Sequence, residues 1–155
     1  MHLAVDSSTG EILASELTTS EEGDASQVGP LLGQIPGPIA SVMADGAYDG
    51  EPVPPVAVVI PPRSTAVLSA AVGTTPSQRD QHIQMIGDKG RLGWQKAVGY
   101  GRRSHAETAM FRYKAIIGSS LRARILPAQK TEAKVACSVL NRMTRLGIPV
   151  FQRVR

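Results

Sequence analysis

The sequence has 155 residues, 42 % of them hydrophobic and 19 % charged, with a formal net charge of +4. This composition is typical of a globular protein and excludes a disordered tail. The length suits a single domain spanning 1–155. One cysteine excludes an internal disulfide framework, and no apolar run approaches the roughly 20 residues of a membrane span. The N-terminal residues lack the pattern of a signal peptide, which favours a cytoplasmic protein with no membrane partner.

The charges are strongly segregated along the chain. Residues 1–62 contain nine acids and no Lys or Arg, whereas residues 63–155 contain all 17 basic residues and four acids. The two parts therefore carry −9 and +13 (17 − 4). A basic half of this kind favours a polyanionic partner such as nucleic acid. The alternative is that the basic residues solvate exposed helix faces.

The chain opens with the pattern of a β-hairpin. Residues 2–5 and 12–17 are short β-compatible runs, and the residues between them, from Asp6 to Gly10, have turn chemistry. This context makes Asp6 a turn residue. Further on, Asp24 can cap a short helix that extends to Leu32.

Two buried strands are predicted next, over residues 39–44 and 56–60, because each is a short apolar run bounded by breakers. Asp45 follows the first strand directly. Since functional side chains gather at the carboxyl ends of strands in parallel or mixed sheets, Asp45 is a candidate functional residue. A turn role for Asp45 is the alternative, and Asp49 is assigned as a turn residue.

Helices are predicted beyond Arg63. Thr75 and Pro76 form a cap and a first-turn proline, and further helices are expected over residues 91–98, 104–117 and 131–146. One face of the last helix is lined by Val135, Val139, Met143 and Leu146. The order of elements indicates an α/β or α+β domain, with an acidic, strand-rich part (1–62) and a basic, mostly helical part (63–155).

One stretch places four chemically capable side chains at helical spacing. At about 100° per residue, a helix would hold Tyr100, Arg103, Glu107 and Lys114 within one narrow face. A carboxylate among Arg, Lys and Tyr suits a metal ligand flanked by phosphate contacts. Two structural alternatives exist: Ser104 and Glu107 fit a capping box, and Arg103 with Glu107 fits a surface ion pair.

The same four residues resemble the Y-R-E-K signature of bacterial insertion-sequence transposases of the D-D-E class, in the group of insertion sequences four and five. The segment around Asp45 resembles the middle acidic motif of that family, and the resemblance covers essentially the whole chain. Shorter stretches that are similar to the family are Leu3-Ala4-Val5-Asp6, Ile60-Pro61-Pro62-Arg63 and Arg122-Ala123-Arg124.

The resemblance implies a ribonuclease-H-like fold, a mixed sheet flanked by helices, and three carboxylates that hold two Mg²⁺ or Mn²⁺ ions. It implies that Asp45 and Glu107 are the second and third acids, and that Tyr100, Arg103 and Lys114 contact DNA. The implied partners are double-stranded DNA, at transposon ends and target, and a second copy in a homodimer. The protein would be cytoplasmic, and associated with the nucleoid when bound to DNA.

The departure from the family pattern concerns the first acid. In the family, the first of the three catalytic carboxylates is an Asp, and it lies on a strand that precedes the segment resembling the opening of this chain. We therefore expect the C-terminal portion of a catalytic domain, lacking its first strand and impaired in catalysis. A non-catalytic DNA-binding remnant is the alternative, and a basic α/β protein with no nucleic-acid role is the third hypothesis.

Overall fold

The computed structural model describes residues 1–19, 21–49 and 56–147. Its four strands are β1 (His2–Val5), β2 (Ile12–Glu16), β3 (Ser41–Met43) and β4 (Ala57–Val59). Its four α-helices are α1 (Val28–Leu32), α2 (Gln78–Ala97), α3 (Ser104–Arg112) and α4 (Leu126–Arg145). Shorter helical turns are the 3₁₀ turns Asp24–Gln27, Gly46–Tyr48 and Tyr100–Arg103 and the π turn Tyr113–Ile117.

These elements gather into two compact units. The terminal unit contains residues 1–18 and the chain from residue 105 onward, and the central unit contains residues 19–104. The expected single domain stays a prediction. None of the described helices has the length and apolar character that crossing a bilayer requires.

In the terminal unit, β1 and β2 form the predicted hairpin. The strands pair antiparallel, with His2 opposite Glu16 and an irregularity between Ala4 and Val5. At the turn, the Asp6 carboxylate accepts hydrogen bonds from the Ser8 and Thr9 N–H groups (2.7 and 3.2 Å). The hydroxyl and N–H of Ser8, with the N–H of Thr9, lower the pKa of Asp6. The assignment of Asp6 as a turn residue is confirmed.

Helix α4 packs against β2 through a face of three small residues and one leucine. Ala133, Ala136, Cys137 and Leu140 are its buried side chains. The Asn141 amide spans the backbone of Ile12: Oδ1 accepts the Ile12 N–H (2.7 Å) and Nδ2 donates to the Ile12 carbonyl (2.7 Å). The apolar face identified from the sequence is exposed; its residues are Val135, Val139, Met143 and Leu146. Small residues let the helix approach the strand closely, and the amide bonds fix its rotation.

In the central unit, β3 and β4 pair in parallel, with Val42 opposite Val58. The other side of β4 is closed by side chains of α2. Gln78 accepts the Val58 N–H (2.7 Å) and donates to the Val56 carbonyl (3.0 Å). One turn later, His82 Nε2 donates to the Val58 carbonyl (2.7 Å). Two side chains of one helix face thus satisfy backbone groups that another strand would otherwise pair.

Helix α2 starts at a capping box formed by Ser77 and Asp80, two residues beyond the Thr75 cap that the sequence predicts. Asp80 is buried and also accepts hydrogen bonds from the Ser69 N–H and hydroxyl (both 2.7 Å). Asp80 therefore fastens the preceding loop to the start of the helix. The helix predicted over residues 91–98 is the second half of α2, which bends at Gly90 (φ 69°, ψ 166°).

The α+β composition expected from the sequence is confirmed. The strand pairing differs from a single mixed sheet: the described strands form two separate two-stranded sheets, β1–β2 and β3–β4. One edge of β4 is taken by Gln78 and His82 and cannot recruit a further strand. Within the described ranges β3 has no strand partner besides β4.

Candidate functional site

Asp45 lies just beyond the end of β3, as the sequence predicts. It is exposed and has extended backbone (φ −81°, ψ 175°), and it caps the 3₁₀ turn Gly46–Tyr48. Its Oδ1 accepts the Ala47 N–H at 3.0 Å. The turn role considered as an alternative is therefore present, but it uses one carboxylate oxygen. Oδ2 makes no hydrogen bond to any residue in the described ranges, so it is available to a ligand.

The loop that begins at Asp45 is anchored at its far end by Asp49. Both oxygens of Asp49 bind the Arg79 guanidinium, at 2.9 Å to Nε and 3.3 Å to the terminal nitrogen. The Arg63 N–H donates to the same carboxylate (3.1 Å). Burial acts to raise the pKa of Asp49, but hydrogen bonds from Arg79 and Arg63 outweigh it and hold that pKa below its ordinary value. The sequence pattern predicted only a turn role for Asp49, because a partner 30 residues away leaves no local signal.

Tyr48 places a neutral phenol in the field of Asp45. The pKa of Tyr48 is raised to about 12, mainly by burial and to a lesser extent by the negative charges of Asp24 and Asp45. Its hydroxyl therefore stays protonated at neutral pH. Tyr48 was not a sequence candidate, although its place three residues after Asp45 in a tight turn was a usable signal.

Tyr100 contacts the end of β3, and Arg103 lies beside its ring. The Tyr100 hydroxyl donates to the carbonyl of Ala44 (3.3 Å), the residue before Asp45. The Arg103 guanidinium lies 5.4 Å from the centroid of the Tyr100 ring. Residues i and i+3 are stacked in a 3₁₀ turn, which has three residues per turn, so this turn aligns the two side chains. One signature residue thus contacts the strand end that carries Asp45, and a second lies beside the ring of the first.

Glu107 and Lys114 are both exposed, and they lie in the terminal unit. Glu107 belongs to α3, whereas Lys114 lies in the π turn that follows, where the Gly118 N–H donates to the Tyr113 carbonyl (3.2 Å). The four signature residues thus span 3₁₀, α and π geometry, and their shared helical face stays a prediction.

The capping-box interpretation of Glu107 is wrong. Ser104 has helical backbone angles (φ −56°, ψ −21°) and continues the 3₁₀ turn into α3. An N-cap residue has non-helical, usually extended, angles. Glu107 is therefore not explained as the partner of an N-cap at Ser104.

The donor chemistry suits hard divalent cations. Asp45 offers an exposed carboxylate oxygen, and Mg²⁺ is commonly held by one or two carboxylates with waters and substrate phosphates. Across residues 1–19, 21–49 and 56–147, no group of three or more His, Cys, Asp or Glu residues could hold a metal ion together. Asp45 thus fits as one ligand, and a two-metal centre requires further carboxylates.

Comparison with known proteins connects this geometry to a family. Residues 1–142 match the family described as transposase DDE domain. The chain belongs to the transposase DDE domain family. The match includes Asp45 and all four signature residues of the chain, and it relates the transposase domain to DNA transposition. The family acts on DNA and typically uses divalent metal ions. No solved structure matches the chain.

Proposed function

We propose that this chain supplies part of the catalytic machinery of a transposase, which cleaves DNA strands and transfers them in a metal-dependent reaction. The observation that carries the proposal is the contact of Tyr100, with Arg103 beside its ring, with the strand end bearing Asp45. Family membership over residues 1–142 supports the same assignment. Asp45 and Glu107 supply two of the three carboxylates.

Asp45 is suited to its role by exposure and by preorganisation. The Ala47 N–H fixes one carboxylate oxygen, which orients the other. A pair of divalent cations, when bound, supplies stabilisation of the attacking and leaving oxygens of an in-line displacement. Glu107 contributes an exposed carboxylate from α3. If both residues serve one metal pair, their carboxylates must lie within several ångströms of each other, since such metals are about 4 Å apart.

That convergence is testable without activity. A single Mn²⁺ ion titrated into ¹⁵N-labelled protein should broaden the amide resonances near Asp45 and those near Glu107 at the same concentration. If only the resonances near Asp45 or only those near Glu107 broaden, the other residue is not a ligand of the metal site. Asp45→Asn should abolish the effect on both groups if the proposal is right.

Arg103 and Lys114 are proposed to contact phosphates, and Tyr100 to orient Arg103 through its ring. Replacing Arg103 or Lys114 with Ala should weaken DNA binding about equally for all sequences and flatten the salt slope by about one. Lys134→Ala is the matched control, since Lys134 is an exposed lysine on α4 outside the signature. An unchanged salt slope in the double variant would make both residues ordinary solvated charges.

The third carboxylate is proposed to come from a further strand that pairs with β3. Two observations support this proposal. Asp6 is committed to its hairpin turn by hydrogen bonds from Ser8 and Thr9, and β3 has no strand partner but β4 in the described ranges. With two carboxylates the charge of a second cation is under-compensated, so the chain by itself should not cleave DNA at a useful rate.

The decisive assay is nicking of a supercoiled plasmid with Mn²⁺. We expect no nicking by the 155-residue chain, and nicking once an upstream family segment with its acidic strand is added. That gain should vanish in Asp45→Asn and in Glu107→Gln. Robust cleavage by the 155-residue chain that disappears in Asp6→Asn would instead identify Asp6 as the first acid and refute the proposed further strand.

The second candidate is a non-catalytic DNA-binding remnant. The net charge of +13 (17 − 4) over residues 63–155 favours it. Both candidates predict salt-sensitive DNA binding, but only the first predicts metal-dependent nicking by the completed domain. For either one we propose a cytoplasmic protein that associates with the nucleoid through DNA, with a homodimer as the working assembly.

A further inference from the structure

A buried polar pair lies in the central unit, outside the signature residues. Trp94 is fully buried, and its indole Nε1–H donates to His82 Nδ1 at 3.0 Å. His82 Nε2 donates in turn to the Val58 carbonyl at 2.7 Å. The carbonyl needs a donor and the indole needs an acceptor, so the imidazole is neutral with its proton on Nε2. Every polar atom of this pair is satisfied.

The pair exists only because α2 bends. His82 and Trp94 are 12 residues apart (94 − 82), which in a straight α-helix is a rise of about 18 Å. Gly90, with φ 69° and ψ 166°, turns the second half of α2 back toward the first. The hydrogen bond and an edge-to-face contact at 5.6 Å between the two rings follow from that bend.

The pair connects to the candidate site through Tyr100. The Trp94 and Tyr100 rings pack with centroids 5.1 Å apart and a tilt of 45°. The Tyr100 hydroxyl then donates to the Ala44 carbonyl, while the Ala44 N–H donates to the Val59 carbonyl (both 3.3 Å). Contacts therefore run from β4 through the helix and back to the end of β3, next to Asp45.

We propose that His82 and Trp94 are positioning residues, which hold Tyr100 against the main chain at Ala44 and thereby set the orientation of Asp45. A purely apolar core would pack this space without fixing the rotation of any ring. Two hydrogen bonds fix the imidazole and the indole, and the indole in turn limits where the phenol can lie. A fully satisfied buried network specifies one arrangement in this way. The proposal rests on the proposed role of Asp45 as a metal ligand.

The chain has a single tryptophan, so a ¹⁵N-labelled sample gives one indole N–H resonance. The test compares such samples of two variants. Tyr100→Phe removes only the hydroxyl, and Trp94→Phe keeps an aromatic ring but removes the indole donor. In both variants we expect the amide resonances of Asp45 and Ala47 to shift and Mn²⁺ affinity to fall about tenfold. His105→Gln, which alters an exposed histidine, should leave both quantities unchanged.

A double-mutant cycle separates positioning from general stability. If Trp94 acts through Tyr100, the double variant should lose no more Mn²⁺ affinity than Tyr100→Phe alone. Unchanged Asp45 and Ala47 resonances in Tyr100→Phe would overturn the inference, even if Trp94→Phe does not fold. Independent, additive losses of affinity would also overturn it. If Asp45→Asn leaves the Mn²⁺ affinity unchanged, the proposed role of Asp45 as a metal ligand is refuted. The amide shifts in Tyr100→Phe still test the positioning role in that case.

Discussion

Replacing Gly90 with Ala tests the bend in α2 directly. Gly90 has φ 69° and ψ 166°, a combination that residues with a Cβ rarely adopt. A Cβ placed on Gly90 meets no atom within 4 Å, so the cost of the substitution comes from the backbone conformation and not from a clash. Such strain costs about 1–3 kcal/mol of unfolding free energy.

Gly87→Ala is the matched control in the same helix. Gly87 is exposed, has ordinary helical geometry and also meets nothing within 4 Å of an added Cβ. There the same chemical change should stabilise the protein by up to about 1 kcal/mol, because Ala favours the helix over Gly. The structure therefore predicts opposite signs for two Gly→Ala substitutions three residues apart.

Urea unfolding followed by circular dichroism measures both effects. With a urea slope of about 2 kcal/mol/M, a loss of about 2 kcal/mol lowers the midpoint for Gly90→Ala by about 1 M. The indole resonance of Trp94 should move at the same time, since its bond to His82 depends on the bend. A rise in midpoint for Gly90→Ala, similar to that of Gly87→Ala, would mean that α2 runs straight and that the bond between Trp94 and His82 is not formed.

Three further predictions concern stability. Asn141→Ala should cost about 2 kcal/mol in urea unfolding, because it leaves the N–H and carbonyl of buried Ile12 without partners. Tyr113→Phe should leave stability unchanged or raise it by up to about 1 kcal/mol, since the buried hydroxyl has no partner among the described residues; a clear loss would refute that reasoning. The N–H and hydroxyl of Ser69 hold the pKa of Asp80 well below its ordinary value of 3.8. Its contribution to stability should therefore be complete above that value and lost as pH falls below it, and Asp80→Asn should remove this part of the acid dependence.

The sequence predicted the parts of the fold that local chemistry decides. The hairpin turn follows from Asp6 and from Gly10, which has φ 74° as the turn chemistry requires. The end of β3 next to Asp45 was also predicted, because breakers bound a short apolar run. The end of the helical stretch at Gly118 (φ 125°) was predicted from glycine alone.

The sequence did not predict the features that depend on contacts between residues distant in sequence. For α4 the sequence predicted which apolar residues share a face, but not that the opposite, less hydrophobic face is buried and that the Asn141 amide binds the backbone of Ile12. The anchoring role of Asp49 depends on Arg79, 30 residues later, and could not be read from neighbouring residues. The succession of 3₁₀, α and π geometry from Tyr100 to Ile117 could not be predicted from one helical period.

Closing the β4 edge with helix side chains has a consequence during synthesis. His82 follows Val58 by 24 residues (82 − 58), so the ribosome needs about 1–5 s to add the residue that completes the closure. Until then the nascent chain presents unpaired backbone groups beside the apolar β4, a form that can recruit strands from other chains. Slow translation through this stretch should therefore lower the yield of native protein, even though the finished chain would show no change in stability.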